Sequence, residues 1–419
     1  MKTVIQTWGS NGDVRPAIAL AGGLQDAGHD TTLIATSVDN RDYSKLCGEL
    51  GVKSIMIPKT PNLDIRKFIE KSSINGIPTH NINFIKLLMK NLFYPYQDAM
   101  LKAACEACRG SDVAIGHFLC YPLRFAAAKN NIPYVSLTYW PGLIPTAHGL
   151  QPGMPSLGKP LNSIAWKTVR IVLNMILKKD ITAFCDKHKL PRFKDTLRDA
   201  FLSDTLNLIA ASPVLCDSMP DWGKTNQLCG FFNVPDMAEN WQEPEYLKNF
   251  LKEGEAPVFM GLGSMQVVNP EKCADILTQA ARIAGCRAII QSNSQKFPPG
   301  SVDNNICYID SAPHHRLFPQ CAAVVHHGGA GTTHTAARSG CPAITVPFLE
   351  EQHSWGKILY KKELGARPLP FTKATSKKLA QRIRYVLDST RIKENAIKQG
   401  KIIKSEDGIK NAIKLIEKI

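Results

Sequence analysis

The chain has 419 residues, 44% of them hydrophobic, and a formal charge of +15 at pH 7. That length can bury a large core and favours two domains of roughly 200 residues each. It opens on a strand rather than a basic-then-apolar leader, and no run of about 18 uncharged apolar residues occurs, so a soluble, cytoplasmic protein is expected rather than a secreted or membrane-spanning one.

Twelve cysteines are scattered, most inside apolar segments (Cys120, Cys286, Cys307, Cys321, Cys341), and read as reduced, buried thiols. Cys105 and Cys108 form the one Cys-x-x-Cys pair, with no second pair to complete a metal shell, so neither zinc nor redox chemistry is expected.

Taken from the N-terminus, Thr3 to Thr7 reads as a strand, Gly9-Ser10-Asn11-Gly12-Asp13-Val14-Arg15-Pro16 as a loop, Ala17 to Ala27 as a helix stopped by Gly28, and Thr31 to Ala35 as a second strand. Pro16 suits a first helical turn, where its missing N–H has no partner to lose. Gly9-x-x-Gly12 is not the Gly-x-Gly-x-x-Gly of dinucleotide sites, and Asp13 stands where a pyrophosphate would lie. A carboxylate there speaks against phosphate and for a general base, with helix capping as its structural alternative.

Strands near 54–57, 113–115 and 134–137 continue the α/β alternation. Segments 84–96 (Phe84, Leu87, Leu88, Leu92, Phe93, Tyr96) and 161–177 (Leu161, Ile164, Trp166, Val169, Val172, Leu173, Ile176) carry apolar residues at helical spacing. Most such stripes face a core. These could also line an apolar acceptor pocket or, beside Lys167, Arg170, Lys178 and Lys179, rest on a membrane surface. Residues 232–256, with Pro235, Asn240, Pro244, Gly254 and acidic neighbours, form a linker by composition.

The second half starts again with a strand, Pro257 to Leu262, then Gly263-Ser264-Met265, a helix from Cys273 to Ala284 and a strand from Arg287 to Gln291. Ile306 to Ile309 runs into Asp310-Ser311-Ala312-Pro313-His314. The apolar run Ala322 to Val325 leads into His326-His327-Gly328-Gly329-Ala330-Gly331-Thr332-Thr333, and a helix is expected over 335–339. In a strand, glycine turn and helix start of this kind, glycines let the backbone close on a ligand while helix N–H groups and the dipole favour an anion. Two imidazoles and two hydroxyls add donors that a diphosphate would accept from; a plain tight turn would use the same glycines. A further strand near 340–347 precedes Glu350-Glu351-Gln352-His353-Ser354-Trp355, polar residues gathered just past a strand's carboxyl end, where open α/β sheets bind their ligands.

From His353 to Ile419, 17 lysines and arginines face 6 acids. They read as the solvated faces of amphipathic helices, with weak attraction to an anionic membrane as the lesser alternative. Nucleic acid is not expected, because interleaved aromatics and a recognisable motif are lacking.

As a set, Gly-Ser-x-Gly-Asp-Val-x-Pro at 9–16, Gly263-Ser264, Pro313-His314-x-x-Leu317-Phe318-Pro319, the 326–333 turn and Pro347-Phe348-x-x-x-Gln352 resemble the family 1 glycosyltransferases of the GT-B fold. The nearest branch holds sterol 3-β-glucosyltransferases and bacterial antibiotic glycosyltransferases. The resemblance implies an α/β protein with two Rossmann-like domains facing across a cleft: an acceptor domain over 1–235, a nucleotide-sugar domain over 245–400, and a C-terminal helix, 401–419, packing back on the first. It also implies inverting transfer of a hexose, with UDP-glucose as the first candidate donor, to a hydroxyl of a lipophilic acceptor such as a sterol, terpenoid, polyketide or flavonoid.

Carried over by position, Asp13 matches the general base and Trp140 the acceptor wall. Gly12, Ser264, Ala312, His326, Gly328, Gly329, Gly331, Thr332, Thr333, Glu351 and Gln352 fall to the donor. Of these, His326 and the glycine-rich turn would hold the diphosphate, Ser264 would add a phosphate contact, Ala312 would meet the nucleobase, and Glu351 with Gln352 would grip the sugar. Two positions depart from the family: Glu351-Gln352 stands where Asp-Gln is usual, and the first loop lacks the histidine base of the plant branch, leaving Asp13 with His117 as a substitute. With no Asp-x-Asp motif, transfer without a metal or other cofactor is expected. The rivals are a non-catalytic nucleotide-sugar-binding protein of the same fold and an NAD-dependent oxidoreductase, the latter weakened by the absent fingerprints.

Overall fold

The computed structural model describes residues 1–39, 41–58, 82–150, 154–234, 241–263, 270–292 and 296–419. They fall into two compact units: Met1–Gln151, Pro155–Pro235 and Asp407–Ile419 form one, and Pro152–Met154 with Asp236–Glu406 the other. Residues 235–240 of the expected linker lie outside the described residues, as do Ser264 and Met265.

Seven strands make the first sheet: β1 (Lys2–Gly9), β2 (Asp30–Ser37), β3 (Lys53–Met56), β4 (Val113–His117), β5 (Tyr134–Thr138), β6 (Leu206–Ile209) and β7 (Asn226–Leu228). All pair in parallel, in the order β3-β2-β1-β4-β5-β6-β7. β1 is buried from Thr3 to Gly9 on both faces, although half of those residues are polar or glycine. Its polar groups find partners inside: Thr3 Oγ1 and Thr31 Oγ1 lie 2.8 Å apart, Gln6 Nε2 donates to the Met100 carbonyl at 3.0 Å, and Trp8 Nε1 to that of Leu92 at 3.0 Å. Around them Ile5, Leu33, Ile115 and Leu208 are fully buried, each contributing roughly 1.5–3 kcal/mol.

The second sheet has six strands: β8 (Val258–Gly261), β9 (Ala288–Gln291), β10 (Gly300–Asp303), β11 (Ile306–Ile309), β12 (Ala323–His326) and β13 (Ala343–Thr345). Their order is β10-β11-β9-β8-β12-β13, parallel except for β10. Side chains alternate along these strands into two cores. Val258, Met260, Ile290 and Val325 pack with Leu277 and Leu379, whereas Phe259, Ile289, Cys307 and Val324 pack with Leu247, Phe250 and Ala336. In each sheet the strand order reverses once, between β1 and β4 and between β8 and β12. Those reversals leave crevices at the strands' carboxyl ends.

Two helices begin earlier than their sequence suggests. Helix α1 runs from Asn11 to Asp26, so the expected loop is its first turn and Pro16 lies inside it. The N–H that proline lacks would have bonded the carbonyl of Gly12, which is exposed and can bond water instead. The helix Ala330–Arg338 likewise draws Gly331, Thr332 and Thr333 into its opening turn.

Of the stripe at 84–96, Leu92, Phe93 and Tyr96 are buried, while the side chain of Phe84 lies outside the described residues. The 161–177 stripe departs from the core expectation. In the helix Lys159–Leu173 and the π-turn Asn174–Lys178 that continues it, Trp166 and Ile176 are buried but Leu161, Ile164 and Val169 are exposed. Its apolar residues are spread around the helix, and only one side meets the sheet unit.

The helix Thr390–Ser405 packs on the 330–338 helix, and the chain passes to the first unit between Glu406 and Asp407. There the helix Gly408–Ile416 seats against α1, with Asn411 Nδ2 donating to the Cys229 carbonyl at 3.0 Å and Glu417 Oε1 3.2 Å from His29 Nε2. Every cysteine is a free thiol. Among the described residues no helix is long and apolar enough to cross a membrane, and no group of three or more His, Cys, Asp or Glu could hold a metal ion.

Candidate active site

At the β1/β4 reversal, Asp13 stands in the first turn of α1. The Ser10 N–H donates to Asp13 Oδ2 at 2.9 Å and Ser10 Oγ lies 3.2 Å from the same oxygen. The other oxygen, Oδ1, lies 4.0 Å from Nε2 of His117, the last residue of β4. Helix capping therefore occupies one oxygen of the carboxyl group and leaves the other open. The Asp13 carbonyl accepts from Thr7 Oγ1 at 3.1 Å and Tyr139 Oη at 3.0 Å, which fixes the turn from two strands. Gly9, at φ +144°, is obligatory here: a Cβ would run into the Asp13 carboxylate.

Burial pushes the Asp13 carboxyl up to about 6, against the opposing pull of its bonds from Ser10. Even so, 36% of the side chain remains exposed. It is crowded enough to titrate near neutrality and open enough to be reached. His117 is only 3% exposed, and burial brings it down to about 3. It is therefore neutral near pH 7 and a weaker base than Asp13. Its Nδ1 has no partner, and its ring stacks on Tyr139 with centroids 5.7 Å apart.

At the β8/β12 reversal lies the glycine-rich turn. His326 still belongs to β12 and is fully buried; its Nδ1 accepts the Gly328 N–H at 3.1 Å, and burial, with His327 and His314 nearby, holds it neutral. It braces the turn from beneath. The half-buried imidazole is His327, packed so closely that a Cβ on Gly329 would come within 2.5 Å of its Nε2. Burial brings His327 down to about 4 and leaves its Nδ1 without a partner. Gly328 has φ +92°, and a Cβ there would meet the Gln352 carbonyl oxygen at 2.6 Å.

The first bond of the 330–338 helix runs from Thr333 N to the Gly329 carbonyl at 2.9 Å, so the N–H groups of Ala330, Gly331 and Thr332 stand at its positive end. Thr332 is half-buried; Thr333 is fully buried with its Oγ1 unpaired.

The other expected donor residues divide between shaping and lining. Gln352 is 5% exposed, and its Oε1 accepts the Phe348 and Leu349 N–H groups at 2.9 and 3.2 Å, capping its own helix, Glu350–Lys361. Glu351 Oε1 accepts Trp355 Nε1 at 3.1 Å. Ala312 packs at the edge of the Phe259–Phe318 core, and Gly12 is exposed near Ser10. Trp140, just past β5, lies over Gly142 with its Nε1 buried and unpaired. Two contributors escaped sequence reading: Ser10 and Tyr139, the residue before the tryptophan that was noticed. His326 and His327 look alike as a sequence pair, yet a strand's last buried position and a turn's first half-buried one are different environments.

Known proteins fit this geometry. Residues 274–407 match the family model of the erythromycin biosynthesis protein CIII-like C-terminal domain. A sterol 3-beta-glucosyltransferase of Arabidopsis thaliana is 28% identical over 432 residues, covering 99% of this chain and 65% of the plant protein. The O-mycaminosyltylonolide 6-deoxyallosyltransferase of Streptomyces fradiae is 27% identical, covering 100% of this chain and 97% of its own. The solved glycotransferase of kitacinnamycin superposes with a TM-score of 0.71 at 16% identity, over 100% of this chain and 98% of that one. The chain is therefore similar over nearly its whole length to glycosyltransferases, and its fold is that of the GT-B glycosyltransferase structures. It spans just under two thirds of the plant relative's length, and about a quarter of a Cryptococcus neoformans sterol 3-beta-glucosyltransferase, 27% of which is covered. Both clusters sit at the chain's own sheet reversals, Asp13 with His117 at one and the His327 turn at the other.

Proposed function

We propose that this protein transfers a hexosyl group, with inversion, from a nucleoside diphosphate sugar to the hydroxyl of a lipophilic alcohol. UDP-glucose is the proposed donor, and a sterol, terpenoid, polyketide or flavonoid the proposed acceptor. The observation that carries this reading is the Asp13 carboxyl, with one oxygen committed to Ser10, the other uncommitted, and its affinity for protons raised to about 6. Above that pH, Oδ1 accepts the acceptor hydroxyl's proton as the oxygen attacks the anomeric carbon. Neutral His117 beside it adds no competing charge.

As the glycosidic bond to the diphosphate breaks, negative charge develops on the leaving group. The N–H groups of Ala330, Gly331 and Thr332, the helix dipole and the His327 imidazole are the groups proposed to stabilise it, an arrangement fixed before reaction by the Gly328 turn. His326 acts in this scheme by holding the turn rather than by touching phosphate. These donors take the place a cation would fill, so transfer is proposed to proceed without metal and to survive chelation.

The relatives support this reading by name: the Arabidopsis protein is a sterol 3-beta-glucosyltransferase and the Streptomyces protein a 6-deoxyallosyltransferase. Purified protein incubated with UDP-glucose and a panel of lipophilic alcohols, with dTDP-sugars as alternative donors, should yield a product one hexose heavier by mass spectrometry. A panel in which no alcohol gains mass from any donor, while UDP still binds, would favour the non-catalytic nucleotide-sugar protein instead.

A further inference from the structure

The helix Lys159–Leu173 and its π-turn extension carry an exposed apolar surface. One side faces the protein: Asn162, Trp166, Ile176 and Leu177 are buried, with Trp166 Nε1 donating to the Gly149 carbonyl at 3.0 Å and Asn162 Nδ2 to that of Ala147 at 2.9 Å. The opposite side of such a helix is ordinarily polar. Here positions 161, 164, 168, 171 and 175, three or four apart, hold Leu, Ile, Thr, Ile and Met, and all are exposed. Ile164 is 57%, Ile171 59% and Met175 75% exposed. At about 1.5 Å per residue they form one stripe roughly 20 Å long.

The charges around the stripe have one sign. No acidic residue occurs between Met154 and Lys179. Lys159, Lys167 and Lys179 are exposed, and Lys86 is exposed on the helix Ile82–Leu88, which packs against the 174–178 turn. Arg170 is spent on Asp195 at 3.0 Å. The next acid, Asp180, accepts a hydrogen bond from Tyr94 Oη at 3.3 Å.

A second copy of the chain on this face would set lysines against lysines, and an uncharged protein groove would gain nothing from them. An anionic bilayer takes both: the acyl boundary accommodates the aliphatic side chains while headgroup phosphates meet the ammonium groups. We propose that this stripe is a peripheral docking surface for an anionic lipid bilayer, with the helix lying in the plane of the interface. The proposal stands on exposure and charge alone and does not depend on the reaction assigned above.

Co-sedimentation of the full chain with vesicles of phosphatidylcholine, alone or mixed with phosphatidylserine, tests it. Binding to the mixed vesicles should be on the order of tenfold tighter than to the neutral ones and should weaken with salt. The variant Ile164→Gln/Ile171→Gln/Met175→Gln, exposed at every site and expected to keep its Tm, should lose about tenfold in vesicle affinity; Lys167→Gln/Lys179→Gln should lose the preference for phosphatidylserine. Absence of binding to mixed vesicles, or equal binding by the triple variant, would overturn the proposal. So would a lipid-free dimer that the triple variant dissolves, which would give the stripe to a second copy. UDP affinity should be unchanged in both variants, so a failure here leaves the donor site's reading intact.

Discussion

The two strand-order reversals solve opposite electrostatic problems with similar backbone parts. Each places a glycine at positive φ, Gly9 or Gly328, between a parallel strand and a helix start. At β1/β4 the glycine makes room for a carboxylate that the surrounding protein drives toward neutrality. At β8/β12 it makes room for a neighbouring carbonyl, beside helix N–H groups that lack helical partners and a half-buried neutral imidazole. In the proposed reaction one crevice gains a proton and the other holds a negative charge. The same supersecondary unit serves both because the side chain at the helix's third position differs, Asp13 in one and Thr332 in the other.

The sharpest way to break this comparison is Asp13→Asn. It should lower kcat by about 10²–10⁴-fold while the Kd for UDP, read by calorimetry, stays put. Next come the paired glycines. Gly9→Ala should cost turnover by displacing the carboxylate, whereas Gly328→Ala should cost UDP affinity; each adds about 1–2 kcal/mol of backbone strain, visible as a lower Tm. The two histidines then separate bracing from binding. His327→Ala should weaken UDP binding by roughly tenfold, the scale of one hydrogen bond to a charged group, with Tm little changed, while His326→Ala should lower Tm first.

The smallest effect is in pH. His327 and His334 titrate at about 4 in the folded chain and near 6.5 when unfolded, so their contribution is complete above pH 6.5 and is lost as pH falls toward 4. In the first unit His117, at about 3, follows the same sense, but Asp13 opposes it: its folded value is raised, so its contribution is present below pH 3.8 and lost as pH rises through about 6. Hydrogen exchange at pH 7 and pH 5 should therefore show the second unit loosening more than the first.

Much of this was legible in the sequence. Strand–loop–helix alternation, the 326–333 turn and the special status of Asp13 follow from glycine placement and from an acid where phosphate-binding loops have none. What escaped was set by side-chain hydrogen bonds, some within a helix cap and one long-range. The start of α1 at Asn11 depends on Ser10 and Asp13 closing on each other, and the bracing of that turn depends on Tyr139, far away in sequence. Gln352 reads as a sugar ligand, and the fold adds a second role, its Oε1 capping a helix, because only the fold shows which N–H groups lie within reach. The outward apolar side of the 159–173 helix could not be told from core by spacing, since both faces obey it.

The division of labour is tested most directly by measuring kcat and the Kd for UDP on one preparation of Asp13→Asn, using whichever acceptor gains a hexose. The account predicts that kcat falls by at least about a hundredfold with UDP affinity within twofold of the parent, roughly the measurement's own scatter. Near-normal turnover, or a loss of UDP affinity matching the loss of rate, would contradict it.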